Sequence, residues 1–368
     1  MGRKLSINQN VCSMFVSSLQ ILVLLHVEML VVCGRSLPRN LANGSRHIQS
    51  SEGGATEFWS KTLPGLTVPP SVAGRISPLK SADIIKFSTK LQNGSLRASS
   101  QEFCSQANLV CDHDLPLLIA EGTVFLGAQD HLPSTEQISC SVEHGTDQRS
   151  LALASASSSN VFFPEKELRA GGHITLPDLR DPAPMKAFLP QTLAEKLPFN
   201  CHSFDELLAI FNISKSSNTS FDMAMVLKAC ESPTGEGQFK KCITSLEAMV
   251  DLVTSILGQN LELLSEPSTA GSKQTVTVID VKARESPAAP VSCHSLVFPF
   301  AVYYCHYLDR TKAFHLSMQT QNGEMLQRTA VCHSWLPSLT DEFVALKLER
   351  HESACHWLYA SNLMWLAN

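Results

Sequence analysis

The sequence predicts an α+β fold: capped helices followed by an antiparallel β-sheet, preceded by a largely irregular region. Three observations carry this. Helical apolar spacing with N-cap signals is concentrated between about residues 200 and 258. Two-residue alternation takes over after about residue 274. Residues 35–158, in contrast, are rich in Ser, Gly, Pro and Asn and hold no sustained period.

The N-terminus, residues 1–34, reads as an export signal. Arg3 and Lys4 give a basic start, and Met14 to Val32 is dominated by Leu, Val, Ile and Met, broken by His26 and Glu28 before the small Gly34. A spanning helix needs about 20 uninterrupted apolar residues, so the expected outcome is cleavage rather than anchoring, and no later stretch is apolar enough to cross a membrane. The irregular region contains one distinct island, "EFWSKTLPGLTVPP" at 57–70, where prolines stiffen the chain and Phe58 and Trp59 are available for docking. "SLALASASSSN", 150–160, has the small polar composition of a flexible linker.

From Val161 to about residue 366 the chain is dense enough to bury its own core. "CHSFDELLAIF" offers Ser203 as an N-cap with Glu206 three residues on, a capping box. In "CITSLEAMVDLVTSILGQN", Thr244 and Glu247 repeat the device. Leu246, Met249, Val250, Val253, Ile256 and Leu257 line one helical face, and Gly258 closes it. "TVTVIDV" then alternates as a strand, Asn322-Gly323 marks a hairpin, and "EFVALKLER" and "LMWL" read as further strands.

The net charge of −5, without a dense Lys/Arg run, argues against a nucleic-acid partner. Gly-x-Ser-x-Gly, phosphate-loop and dinucleotide-binding motifs are absent, as are the short Cys-x-x-Cys arms of structural zinc sites and c-type haem. Loss of the signal would remove Cys12 and Cys33 and leave ten cysteines, an even set suited to disulfides in an oxidising compartment. Sequons at Asn43, Asn93, Asn212 and Asn218 agree with such a route. Cys230 and Cys242 bracket the turn-rich "ESPTGEGQFKK" and are expected to pair, a closure worth about 3 kcal/mol on the chain-entropy account.

Four Cys-His dipeptides occupy the C-terminal part: Cys293-His294, Cys305-His306, Cys332-His333 and Cys355-His356. On a strand, neighbouring side chains point to opposite faces. Repetition of the pair therefore sends four thiols one way, for a structural role, and four imidazoles the other. Clustered imidazoles suit a borderline metal such as copper or zinc. Histidines merely hydrogen-bonded to backbone are the competing reading.

The spacers between these dipeptides, ten, twenty-five and twenty-one residues, closely resemble the signature of the plant BURP domain. "VFFPEKELRAGGHITLPDL", with Phe162 and Phe163, resembles that domain's opening, "ACESPTGEGQFKKCITSLEAMVD" its central block, and "FPFAVYYCH" its tyrosine-rich segment. The island at 57–70 is similar to a short segment that often precedes the domain. The likeness spans residues 161–366. Two features depart from the pattern: the last spacer is about one residue short, and Cys201-His202 is an extra dipeptide, whose cysteine offers the odd cysteine among Cys104, Cys111 and Cys140 a partner.

The resemblance implies a secreted plant protein of the cell wall, apoplast or storage compartments. Three functions compete. One is a non-catalytic protein of the wall matrix in development or stress response. Another is a copper-dependent peptide cyclase joining tyrosine or tryptophan side chains, with copper on His294, His306, His333 and His356. The third is a polygalacturonase-associated wall accessory protein. Ahead of residue 161 there is no tyrosine and a single tryptophan, Trp59, and no repeated core peptide. A self-encoded substrate is thus disfavoured, and the first reading is preferred. The expected partners are cell-wall components or a separate peptide substrate.

Overall fold

Helices form wherever apolar residues recur at three- and four-residue intervals, and the first of them lie where the composition suggested none. A computed structural model describes residues 54–111, 140, 162–180, 185–234, 238–266, 268–308, 310–335 and 340–368. The expected export signal, Asn43 and the linker 150–160 lie outside the described residues.

Residues 54–111 correct the expectation of an irregular front. They form α1 (Gly54–Thr62), α2 (Pro70–Ala73), α3 (Ser81–Gln92) and α4 (Ser100–Gln106). Trp59, Leu63, Val72, Phe87, Leu96 and Phe103 are all at most 2% exposed. Burying a side chain of this size contributes about 1.5–3 kcal/mol, so a few anchors help offset the cost of ordering the polar residues between them. The spacing of Trp59 and Leu63, and of Ile84 and Phe87, was visible in the sequence but diluted by polar neighbours. Phe58 and Trp59 dock as expected: Trp59 packs 5.6 Å, centroid to centroid, from Trp365, and its Nε1 donates to Leu66 O at 2.7 Å.

The later helices are α5 (Gln191–Ala194), α6 (Phe204–Ile210), α7 (Asn218–Glu231), α8 (Leu246–Leu257) and α9 (Thr340–Ala345). Ser203 stands at the N-cap of α6 without a side-chain cap bond. Asn200 instead accepts from Ser203 N at the preceding 3-10 turn. For α8 the cap is Ser245, accepting from Ala248 N, one residue beyond the expected Thr244, and Gly258 ends the helix at φ +86°. The α9 segment corrects a strand assignment. Phe343 is buried and Leu346 packs beside it, a three-residue interval, whereas Val344 between them is 71% exposed.

Among the described residues, eleven strands build two antiparallel sheets: β1 (Phe163–Pro164), β2 (His173–Thr175), β3 (Gln238–Ile243), β4 (Leu261–Ser265), β5 (Thr275–Arg284), β6 (Val291–Leu296), β7 (Val302–Leu308), β8 (Lys312–Thr320), β9 (Met325–Ser334), β10 (Ser353–Trp357) and β11 (Leu363–Ala367). The first sheet runs β1-β10-β9-β8-β5-β2 and the second β3-β7-β6-β11-β4. β8 and β9 meet at the expected hairpin, with Gly323 at φ +83°. Helices interleaved with two antiparallel sheets give the α+β class.

The sheets lie face to face. Ala313 and Val331 of the first cluster with Met364 and Leu366 of the second, and Ala354 of the first with Leu308 of the second. The outer face of the second sheet carries Cys293, Cys305, Tyr303 and Trp365 and is covered by α1 and α8. Among the described residues, five disulfides join Cys104–Cys111, Cys140–Cys201, Cys230–Cys242, Cys293–Cys305 and Cys332–Cys355. All described residues belong to one compact unit, and none of their helices is long and apolar enough to cross a membrane.

Candidate functional site

Strand pairing decides where the Cys-His dipeptides point. In β6–β7, Cys293 lies directly opposite Cys305, so His294 and His306 project from the other face as diagonal neighbours. In β9–β10, Cys332 lies directly opposite Cys355, and His333 and His356 take the same diagonal relation. Each sheet thus contributes one disulfide on its outer face and one imidazole couple on the face between the sheets.

The four imidazoles come together there. His294 and His306 stack with Nε2 atoms 3.0 Å apart, and His333 and His356 stack with Nε2 atoms 3.2 Å apart. Across the sheets, ring centroids are 5.9 Å apart for His294 and His356 and 6.4 Å for His306 and His333. Among the described residues no three or more His, Cys, Asp or Glu surround a single point as a metal centre. The rings meet two by two, at two neighbouring points.

Each couple has a polar collar. Asn362 Nδ2 is 3.0 Å from His294 Nδ1, Thr311 Oγ1 is 3.0 Å from His333 Nδ1, and His356 Nδ1 is 3.1 Å from Trp357 O. Apolar groups close the rest: Phe162 meets His356 edge-on at 5.6 Å, and Tyr304 is 5.5 Å from His306. Burial, reinforced by the neighbouring rings, holds His294 and His333 well below the ordinary imidazole range and depresses His306 to about 3. Burial alone lowers His356 to about 4. The rings are therefore neutral, as metal ligation requires. Burial also raises Tyr304 to about 12 and lowers Lys240, opposite His306 in register, to about 8. Lys240 Nζ donates to Ala229 O at 2.9 Å and to Ser232 Oγ.

Each couple presents two neutral imidazole nitrogens, the donor type that a borderline ion such as copper or zinc takes; no more than two converge at one point among the described residues.

The other residues singled out in the sequence fall elsewhere. Cys230 and Cys242 are joined, with Cα atoms 5.6 Å apart. Cys201 takes Cys140 as its partner, and His202 is exposed on its turn. Asn93 and Asn212 are exposed, whereas Asn218 is half-buried at the start of α7. Trp59 lies in the cluster with Cys293 and Cys305, on the outer face of the second sheet, away from the imidazoles. Sequence reasoning missed Asn362, Thr311, Phe162 and Tyr304 as site neighbours. Tyr304 was accessible to it, standing two residues before His306 on the same strand face; Asn362 and Thr311 carry no local pattern that distinguishes them.

Comparison with known proteins adds a lineage to this geometry. A family description of the BURP domain matches residues 161–367. Over 217 residues the chain is 32% identical to a tomato (Solanum lycopersicum) protein named polygalacturonase non-catalytic subunit AroGP3, covering 55% of this chain and 34% of that one. Polygalacturonase 1 beta-like protein 3 of Arabidopsis thaliana is 32% identical over 214 residues, with the same shares. BURP domain-containing protein 12 of Oryza sativa subsp. japonica is 30% identical over 213 residues, 55% of this chain and 33% of that one. The chain matches about a third of the length of these relatives.

Proposed function

The chain belongs to the BURP domain family, and from that premise we propose that it is a secreted, non-catalytic plant protein of the cell wall or apoplast whose histidine couples hold copper. The position of Trp59 argues against a substrate encoded ahead of the domain and so favours the non-catalytic reading. A chain that crosslinked itself would have to present an oxidisable aromatic to the imidazoles, and Trp59, the sole Trp or Tyr ahead of residue 161, is 1% exposed on the opposite face of the sheet. Relatives named as non-catalytic polygalacturonase subunits agree with this direction. The even set of ten cysteines beyond the signal, all paired among the described residues, suits an oxidising extracellular compartment. Glycans on exposed Asn93 and Asn212 belong to the same route.

His294, His306, His333 and His356 would hold the metal, and bound copper supplies one-electron redox chemistry. The protein's own part is to keep the rings neutral, fix their orientation and shield them with Phe162 and Tyr304. The imidazole geometry also favours a second reading, a copper-dependent cyclase acting on a separate peptide. A third, association with a wall polygalacturonase, rests on the names of the relatives.

The test is to purify the protein from a secreting host, measure its copper content, and incubate it aerobically with tyrosine- and tryptophan-bearing peptides. Bound copper with unchanged peptide masses is expected. Loss of two hydrogens from a peptide overturns the non-catalytic reading in favour of the cyclase, and absence of copper removes the metal. Co-precipitation with a wall polygalacturonase would assign the third role.

A further inference from the structure

We propose that Thr311 and Asn362 are positioning residues that make the two histidine couples unequal, leaving His333/His356 ready for a cation and His294/His306 closed by a shared proton. This rests on the reading of the cluster as a metal centre and concerns which couple an ion enters first.

The assignment follows from donor and acceptor bookkeeping. Thr311 Oγ1 lies 2.8 Å from Leu308 O, a carbonyl that can only accept, so the hydroxyl proton is spent there. At 3.0 Å from His333 Nδ1 the same oxygen is then an acceptor, and His333 carries its proton on Nδ1. His356 Nδ1 faces the Trp357 carbonyl at 3.1 Å and is likewise the protonated nitrogen. Both Nε2 atoms of this couple are therefore bare lone pairs facing each other at 3.2 Å. Two acceptors at that distance have nothing to share. A cation between them turns the repulsion into ligation.

The other couple is arranged differently. Asn362 Oδ1 accepts from Ser295 N at 3.2 Å, which fixes the amide so that Nδ2 faces His294 Nδ1 at 3.0 Å. The amide nitrogen only donates, so His294 Nδ1 accepts and its proton sits on Nε2. That proton bridges to His306 Nε2 at 3.0 Å, and the couple is a completed hydrogen bond. An ion entering here must first displace it. Neither positioning residue is on a Cys-His dipeptide, and each acts through a single outer nitrogen, the place where groups around a metal site set ligand tautomer and orientation.

The inference yields opposite signs for two isosteric changes. Thr311→Val removes the acceptor from His333 and is expected to weaken binding of the first Cu(II), followed calorimetrically with copper chloride, by roughly ten- to a hundred-fold; Thr311→Ser restores it. Asn362→Asp keeps an oxygen for Ser295 N but offers His294 Nδ1 an acceptor, reversing the tautomer and baring its Nε2. The second Cu(II) is then expected to bind roughly ten- to a hundred-fold more tightly, with the first unchanged. The added carboxylate charge alone would tighten both bindings alike, so equal tightening of the first and second Cu(II), weakening, or no change overturns the proposal. Long-range proton–nitrogen correlation on the metal-free protein reads the tautomers directly: Nδ1-protonated His333 and His356, Nε2-protonated His294. Any other pattern overturns it too. Wild-type protein that takes up no copper sinks the metal-centre reading, while the spectra still decide the tautomers.

Discussion

His306 and His356 show what burial does to a titrating side chain. Their folded values, about 3 and about 4, lie below the ordinary imidazole value of 6.5. Between those values the unfolded chain binds protons that the folded chain refuses. Stability of the metal-free protein is therefore full above about pH 6.5 and is lost as pH falls toward 4, each ring contributing up to about 1.4 kcal/mol per pH unit. Urea midpoints at pH 7 and pH 5 in the presence of chelator check this; equal midpoints contradict it. Gly271 is a second residue-scale case: at φ +78° its Cβ position is occupied by Leu326 Cδ1. Gly271→Ala should cost about 1–3 kcal/mol, read from the same denaturation curves. The imidazole face was legible from the dipeptide repeat because strand alternation is a strict rule. The partners Asn362 and Thr311 were not, because their roles depend on a loop and a strand edge that no short-range pattern specifies.

At the scale of elements, α8 and the β8–β9 hairpin followed from spacing and from Asn322-Gly323, since both signals are local and chemical. The exact caps of α6 and α8 slipped because several Ser, Thr and Asn residues compete for one role, and the winner depends on where the chain enters the helix. The segment that became α9 alternates apolar and polar residues well enough to pass for a strand; only the cluster formed by Phe162, Leu308, Phe343 and Ala354 selects the helical interval. α1 was readable as a docked aromatic but not as a helix. Its anchor is testable: Trp59→Ala should destabilise the protein by about 3–5 kcal/mol, measured by chemical denaturation, because it empties a site against Trp365. A loss under 1 kcal/mol would mean that α1 is not held by this side chain.

The whole molecule is wider than the segment that the family description matches. Residues 54–111 supply Phe87, Leu96, Phe103 and Cys104 to one core cluster and Trp59, Leu63 and Val72 to another. A chain restricted to residues 162–368 should therefore expose these apolar surfaces and unfold at lower urea than one beginning at residue 54, and limited proteolysis should leave peptides from 54–111 with the resistant core. Recovery of a fully stable 162–368 fragment would contradict this. Composition hid that integration because it averages a few large anchors over many polar residues, while burial is decided anchor by anchor.

The cross-strand disulfides have a consequence for how the molecule is made. Cys293 faces Cys305 and Cys332 faces Cys355 only in the native register, and a slip of one residue would turn every side chain of a strand to the other face. Oxidation during synthesis thus seals a strand pair after it has aligned correctly, and each sealed pair is a permanent record that its two histidines were turned inward together. A misaligned strand pair leaves its thiols apart and unoxidised, so free-thiol content alone reports whether the two histidines of that pair have been turned inward.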